Sequence, residues 1–153
     1  MPSRSAIQGF LEQKHLAFVG VSRKSKAFPN AVYRHMRDAG YEMVPVNPNA
    51  EAIEGDPCYA TIEAVPDPLE GVVVMVNSEA AVDVVRQCID RGVKRIWLHR
   101  GLGSRGAMSD EAVQLCEAND VEVVAGACPL MFVGPTRHVH WLHKQLARRS
   151  STA

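Results

Sequence analysis

The chain lacks an excess of either charge, and it has no long apolar run. Lysine plus arginine and aspartate plus glutamate each number 17 among 153 residues, so the formal net charge is zero. This balance argues against a nucleic-acid-binding or membrane-surface protein, because both need a basic excess. No apolar run approaches the roughly 20 residues of a membrane helix, and residues 1–21 lack the apolar core of a signal peptide. We therefore expect a cytoplasmic protein with no nucleic-acid or membrane partner.

Paired cysteines are also missing. The four cysteines are far apart in sequence, at Cys58, Cys88, Cys116 and Cys128. The absence of any C-x-x-C pair excludes a zinc knuckle and a thioredoxin-like motif. Cys88 and Cys116 fall in apolar periodic segments and are predicted to be buried thiols. Unpaired cysteines fit a reducing compartment.

The sequence does contain an alternation of short apolar runs and helical segments. The predicted strands are residues 15–21, 42–48, 70–77, 93–99 and 121–126. The predicted helices are residues 6–13, 30–40, 79–92, 110–120 and 135–149, with Ser5, Ser78 and Ser109 as N-caps and Gly40 and Gly92 as C-terminal stops.

Strands that are apolar throughout and separated by helices indicate a parallel sheet covered on both faces. The predicted fold is therefore α/β, a Rossmann-like doubly wound parallel sheet of about five strands in a three-layer α/β/α sandwich. We expect one domain over residues 1–153. The sequence leaves the strand order open.

One glycine motif lies at an unexpected place. Residues 101–106, GLGSRG, match G-x-G-x-x-G, but they follow the fourth predicted strand. The dinucleotide fingerprint follows the first strand and opens a helix. We therefore predict a loop at the rim of the sheet here, and no NAD site.

The turn after the first strand has different chemistry. Residues 20–30, GVSRKSKAFPN, carry one glycine, two serines, three cations and an asparagine before the helix. Hydroxyls, cations and backbone N–H groups at a helix N-terminus favour an anion. This turn is predicted to bind phosphate, because ligands of α/β sheets lie at the carboxyl ends of the strands.

An acidic residue is missing after the second strand. An NAD site places Asp or Glu there to hold the ribose hydroxyls, whereas this chain has Asn47, Pro48 and Asn49. The missing carboxylate also removes the charge that would repel a phosphate on the ribose. The residues are thus compatible with NADP or coenzyme A, and they do not separate the two.

Several stretches in order along the chain resemble one known family, the stand-alone CoA-binding domain proteins. The family is similar to the nucleotide-binding domain of the succinyl-CoA synthetase α subunit and of ADP-forming acyl-CoA synthetases. The stretches are AFVGVSRKSKAFPNAVYRHMRDAGYEMVPVNP, GDPCYATIEAVPDP, VKRIWLHRG and ACPLMF. The resemblance runs from about residue 10 to residue 146.

The resemblance implies that coenzyme A or acyl-CoA binds through its ADP portion. The diphosphate would lie at the first turn, the adenosine after the second strand, and the opposite wall of the crevice after the third and fourth strands. The predicted cofactor-binding residues are Gly20, Val21, Ser22, Arg23, Lys24, Asn30, Asn47, Pro48, Val76, Asn77, Ser78, His99 and Arg100. Relatives often carry a basic residue directly after Val-Asn-Pro, whereas this chain has Asn49.

No catalytic set is evident. His140 and His143 are three apart on a predicted helix, but no nearby Asp, Glu or Cys completes a metal site. His99 ends a strand at the ligand rim, where it can hydrogen-bond a phosphate or the pantetheine chain, and no partner for a general base is visible. Cys128 has no adjacent base, which favours a buried structural thiol over a nucleophile.

We therefore expect a CoA-binding protein without catalysis of its own. Two alternatives stay open. One is an NAD(P)-dependent oxidoreductase, which the missing glycines and carboxylate disfavour. The other is a nucleotide-binding subunit of a split acyl-CoA synthetase, which would copurify with a partner that carries an ATP-grasp domain. A homo-oligomer and an acyl-CoA-metabolising partner are both compatible with the sequence.

Overall fold

The computed structural model describes residues 3–100 and 106–133. The helices in these ranges are α1 (Arg4–Leu11), α2 (Phe28–Asp38), α3 (Ser78–Arg91) and α4 (Asp110–Ala118). The strands are β1 (His15–Val19), β2 (Glu42–Val46), β3 (Ala52–Ile53), β4 (Asp56–Pro57), β5 (Gly71–Val74), β6 (Arg95–His99) and β7 (Glu122–Ala127), followed by a 3₁₀ turn at Pro129–Met131. The helix predicted over 135–149 and its histidines lie outside the described residues.

Five strands form one parallel sheet in the order β2-β1-β5-β6-β7. The chain moves outward from β1 to β2, then crosses back to place β5 on the other side of β1. The order therefore reverses between β1 and β5, which is the feature that defines a doubly wound sheet. The predicted fold class is confirmed, and the structure supplies the strand order.

Each face of the sheet has its own apolar core, because successive strand residues point to opposite faces. One face packs α1 and α2 against Leu16, Phe18, Val73, Trp97 and Val124. The other packs α3 and α4 against Ala17, Val72, Val74, Ile96 and Leu98. The central strands β1, β5 and β6 are thus buried on both faces of the sheet. This burial explains why their sequences are apolar throughout instead of alternating.

Two predicted helix starts are wrong. Helix α1 begins at Arg4, and the Ser3 side chain, not Ser5, accepts from the Ala6 backbone N–H at 3.1 Å. Helix α3 begins at Ser78, and its cap is Asn77, whose Oδ1 accepts from the Ala80 N–H at 2.8 Å. In both cases two polar residues compete for the cap, and the one whose backbone is extended takes it.

The Ser109 cap and the Gly92 stop agree with the sequence patterns, whereas the start of α2 differs. The Ser109 side chain caps α4 through the Ala112 N–H at 3.1 Å. Gly92 ends α3 in the left-handed conformation with φ 83°. Helix α2 begins two residues before its predicted start, at Phe28, with Pro29 in the first turn, where a missing N–H costs nothing.

The hairpin formed by β3 and β4 is absent from the sequence prediction. Its strands are two residues long, and they pair antiparallel through Ala52 with Pro57 and Ile53 with Asp56. Such short strands leave no periodic pattern to detect. Among the described residues, no helix is long and apolar enough to cross a membrane.

Candidate functional site

The candidate site lies at the carboxyl edge of the sheet, where the strand order reverses. The turns after β1 and β5 flank this point, and those after β2 and β6 lie on either side of them. In open α/β sheets the crevice at such a point is where ligands bind. Of the thirteen cofactor-binding residues predicted from the sequence, His99 is the last residue of β6, and the other twelve belong to these four turns or to the start of the following helices. Their contact with a ligand stays a prediction.

Gly20 sets how closely the first turn approaches β5. Its φ of +116° is one that side-chain-bearing residues rarely adopt. A Cβ added to it would lie 2.8 Å from the carbonyl carbon of Met75 and closer still to the oxygen. The Met75 N–H in turn donates to the Val19 carbonyl at 2.8 Å. The ends of β1 and β5 are thus in backbone contact, and only glycine fits between them.

Asn30 holds the first turn in place. Its Oδ1 accepts from the Ser22 N–H at 2.8 Å, and its Nδ2 donates to the Ser22 carbonyl at 2.7 Å. The same Nδ2 donates to the Glu54 carboxylate at 3.0 Å. Asn30 is 1% exposed. The structure therefore gives this predicted ligand residue a role inside the protein, as the clamp of the turn.

The turn directs its charge outward. Ser22 Oγ accepts from the Lys24 N–H at 3.0 Å, so the backbone N–H groups of Ser22 and Lys24 are both used within the turn. The side chains of Arg23, Lys24 and Lys26 are exposed, and none belongs to an ion pair among the described residues. These cations remain available to an anion.

Helix α2 begins directly behind these cations. Its N-cap is Ala27, which offers no side-chain acceptor, and its first turn contains no acidic residue. The first N–H groups of a helix carry partial positive charge and favour anions. The helix start therefore adds to the positive character of the first turn.

Asn47 ties the end of β2 to the end of β1. Its Nδ2 donates to the Val21 carbonyl at 3.0 Å, and its Oδ1 accepts from the Asn49 N–H at 2.8 Å. Both ends of the amide are thus committed to backbone. Asn47 shapes the loop, and Pro48 and Asn49 remain on the outer side of that loop.

Asn77, Val76 and Ser78 follow β5. The Asn77 side chain caps α3 as described above, Val76 is half-buried, and Ser78 is the first residue of the helix. The segment therefore presents a helix N-terminus to the crevice from the side opposite the first turn. The amides of Asn30, Asn47 and Asn77 share one function, which is to hold in shape the turns that follow β1, β2 and β5.

His99 ends β6 with a buried and unsatisfied nitrogen. The residue is 8% exposed, and among the described residues no group lies within hydrogen-bond distance of its Nε2. Burial lowers the pKa of His99 below the ordinary value, which favours the neutral imidazole. A buried polar atom without a partner is costly, so this nitrogen is a candidate for ligand contact. Arg100, directly after it, is exposed.

Phe28 is a residue of the site that the sequence reasoning missed. It is the first residue of α2 and is 52% exposed. Its ring centroid lies 6.0 Å from that of His99, with the planes tilted by 58°. The sequence did carry a signal, because Phe28 is an aromatic residue that stands directly after the cations of the first turn. The contact with His99 could be known only from the tertiary structure.

The glycine-rich segment after β6 is described only at its last residue. Residues 101–105 of GLGSRG lie outside the described residues. Gly106 has φ +56°, and a Cβ there would meet the His99 carbonyl, which accepts from the Ala107 N–H at 2.9 Å. This glycine therefore serves a close backbone approach.

The thiol predicted to be structural is buried. Cys128, after β7, is 8% exposed, and burial raises its pKa above the ordinary value. Cys88 and Cys116 are buried as predicted, and burial raises the pKa of Cys88 to about 12 and that of Cys116 to about 11. Because the thiolate is the reactive form, none of these thiols is activated.

A comparison with protein families identifies one match. The profile of a family described as a CoA binding domain matches residues 14–133. This range includes every predicted cofactor-binding residue and most of the described structure.

Individual relatives are similar at moderate identity. The protein YneT of Bacillus subtilis is 27% identical over 128 residues, which cover 83% of this chain and 91% of that protein. Acetate–CoA ligase [ADP-forming] II of Archaeoglobus fulgidus is 31% identical over 84 residues, which cover 53% of this chain but 12% of the ligase. A solved structure from Pyrococcus horikoshii OT3 is 26% identical, with a TM-score of 0.76 over 93% of this chain and 96% of that one.

Proposed function

The chain belongs to the CoA-binding-domain family, and on that premise we propose that it binds coenzyme A or an acyl-CoA through the ADP moiety. The ligand lies in the crevice where the strand order reverses. The protein contributes binding and no chemistry of its own. When bound, coenzyme A supplies a thiol that carries acyl groups.

The observation that carries this proposal is the first turn. Three exposed cations, Arg23, Lys24 and Lys26, lie at the start of α2 without ion-pair partners among the described residues. A diphosphate is a dianion, and cations at a helix N-terminus favour it. The Asn30 clamp holds the backbone of this turn before any ligand arrives, which lowers the entropic cost of binding.

The adenosine lies beyond the end of β2, against Asn47 and Pro48. No carboxylate directly follows β2, where Asn47, Pro48 and Asn49 stand, and the Glu54 carboxylate is taken by Asn30 and Arg34. The chain also offers no cation directly after Pro48, where Asn49 stands. We therefore expect the ribose phosphate of coenzyme A to contribute little to affinity.

The remainder of the ligand passes His99 and Phe28. The buried His99 Nε2 needs a partner, and the pantetheine chain carries amide groups that can supply one. The exposed ring of Phe28 offers apolar surface to the same chain. These two features fit the pantetheine chain of coenzyme A.

A second candidate function follows from the ligase match. The chain is similar to a segment that makes up 12% of an ADP-forming acetate–CoA ligase. A protein of this kind can act as the nucleotide-binding subunit of a split acyl-CoA synthetase. Copurification with a partner that carries an ATP-grasp domain would favour this function over a self-sufficient binding protein.

Isothermal titration of ligand-stripped protein tests the proposal. The titrants are coenzyme A, dephospho-CoA, NAD and NADP. We expect binding of coenzyme A and dephospho-CoA with similar affinity, and no binding of the nicotinamide cofactors. Binding of NAD or NADP alone would refute the proposal and restore the oxidoreductase alternative.

Charge substitutions locate the diphosphate. Because charge-assisted hydrogen bonds to phosphate are strong, each of Arg23→Gln and Lys24→Gln is expected to weaken coenzyme A binding by about tenfold. The matched control is Lys94→Gln, which removes an exposed cation at the opposite edge of the sheet. Equal affinity in all three variants would mean that the diphosphate does not lie at the first turn.

A further inference from the structure

Glu54 occupies an unusual backbone position at the tip of the β3–β4 hairpin. Glu54 and Gly55 form its two-residue turn, with φ +55° and +80°. A turn with two positive φ values favours asparagine or aspartate followed by glycine. Glutamate has a longer side chain that gains nothing from the turn itself. We therefore expect the Glu54 side chain to make a stabilising contact outside the turn.

The Glu54 carboxylate makes that contact with α2. Its side chain is 10% exposed. Its Oε1 accepts from Asn30 Nδ2 at 3.0 Å and from Arg34 Nη1 at 2.8 Å. The backbone carbonyl of Glu54 accepts from Arg37 Nη1 at 2.7 Å. The hairpin tip is thus fixed to one face of α2 by three residues, of which Asn30 is the one that reaches the first turn.

The contact with Glu54 favours the same orientation of the Asn30 amide as the backbone of Ser22 does. An ionised carboxylate can only accept hydrogen bonds, so the NH₂ group of Asn30 must face Glu54. The amide oxygen is then directed to the Ser22 N–H, and the second hydrogen of Nδ2 is left for the Ser22 carbonyl. With the amide reversed, its oxygen would face the carboxylate and its NH₂ group would face an N–H donor.

We propose that Glu54 is a positioning residue for the first turn. By accepting from Asn30 Nδ2, it stabilises the amide orientation that pairs with both backbone groups of Ser22. It thereby helps to hold Ser22 in the shape that presents Arg23 and Lys24 to a ligand. This inference rests on the proposed function only where it says that Arg23 and Lys24 are presented to a ligand. The hairpin follows directly from the loop that contains Asn47, so Glu54 also connects the two turns that the ADP moiety would contact.

Amide hydrogen exchange, measured residue by residue by NMR, tests the positioning role without any ligand. In Glu54→Gln the amide of residue 54 can act as donor or acceptor toward Asn30. Residue 54 then no longer favours one orientation of the Asn30 amide, and only the backbone of Ser22 does so. We expect the Ser22 N–H to exchange about tenfold faster. The Cys58 N–H, which donates to the Glu51 carbonyl within the hairpin loop, is expected to keep its rate. Glu51→Gln, which removes an exposed carboxylate three residues away, is the matched control.

A charge swap gives a second test. Asn30→Asp places two carboxylates in contact and is expected to speed Ser22 exchange more than Glu54→Gln does. Adding Glu54→Gln to Asn30→Asp restores a donor–acceptor pair with the roles exchanged. The double variant is therefore expected to exchange more slowly than Asn30→Asp alone.

The outcomes separate the two proposals. Unchanged Ser22 exchange in Glu54→Gln, or an equal rise at Ser22 and Cys58, would overturn the positioning role, because the second result describes mere loosening of the hairpin. Failure of the double variant to slow exchange would overturn it as well.

If the exchange results are as expected but the wild-type protein does not bind coenzyme A, the positioning role stands and the proposed function fails. If coenzyme A binds, Glu54→Gln is expected to weaken it by about tenfold, and undiminished affinity would overturn the role.

Discussion

Single residues at the carboxyl edge of the sheet are specified by backbone geometry. Gly20 and Gly55 both have positive φ, but their surroundings differ. A Cβ at Gly20 would meet the Met75 backbone, whereas a Cβ at Gly55 has nothing within 4 Å. The cost of a side chain at Gly20 therefore combines conformational strain with a clash between two strands that carry the site.

This difference gives a prediction at the residue scale. Gly20→Ala is expected to lower the free energy of unfolding by about 2–4 kcal/mol, because the backbone of β1 or β5 must move. Gly55→Ala is expected to cost about 1 kcal/mol from the left-handed conformation alone. Urea unfolding measures both. Equal losses in the two variants would show that the approach to Met75 is not a constraint.

At the scale of elements, the helix starts around the crevice differ in how they are capped. Helices α3 and α4 each have a side-chain cap, from Asn77 and Ser109. Helix α2 has none, because its N-cap is Ala27. The uncapped start is the one next to the exposed cations. Pro29 has no N–H and the Asn30 N–H donates to the Ala27 carbonyl at 3.1 Å, so the attraction for an anion there comes from the cations and the helix dipole.

The cap of α3 is tested by two neighbouring substitutions. Asn77→Ala removes the side chain that accepts from the Ala80 N–H and is expected to destabilise the protein by about 1 kcal/mol. Ser78→Ala is expected to change stability by less than about 0.5 kcal/mol, because Ser78 lies inside the first turn. Thermal unfolding compares the two. A larger loss from Ser78→Ala would restore the cap that the sequence pattern predicted.

At the scale of the whole molecule, the buried His99 makes stability depend on pH. Burial lowers the pKa of His99 below its ordinary value of 6.5. The unfolded chain therefore takes up this proton at a higher pH than the folded chain does. Stability from this group is present above about pH 6.5 and is lost as the pH falls through that value, until the folded pKa is reached.

The pH dependence gives a prediction for the whole protein. The free energy of unfolding is expected to fall as the pH is lowered from about 7.5 through about 6.5, the ordinary pKa of histidine. His99→Gln removes the titrating group, so the difference in stability between variant and wild type should shift in favour of the variant over the same range. Urea titrations at several pH values measure this. A difference that does not vary with pH would show that His99 does not couple folding to protonation.

The sequence by itself determined the fold class, and it also predicted the region of the candidate site. The apolar strands β1, β5 and β6 are buried on both faces, and that burial is visible as uninterrupted apolar runs. The cationic first turn is visible in the sequence as well, because its charged residues are neighbours along the chain and are exposed. Local patterns also predicted the Ser109 cap and the Gly92 stop, because each depends on neighbours in sequence.

Only the tertiary structure decided the strand order, the contact of Phe28 with His99 and the clamp of Glu54 on Asn30. Each joins residues 24 or more positions apart in the chain, and no local preference encodes such a pair. The hairpin that carries Glu54 has strands too short for a pattern, and it is held by its contacts with α2. Long-range contacts of this kind exist only after the sheet has brought the turns together. For that reason the sequence predicts the region of the candidate site without showing what holds that region in shape.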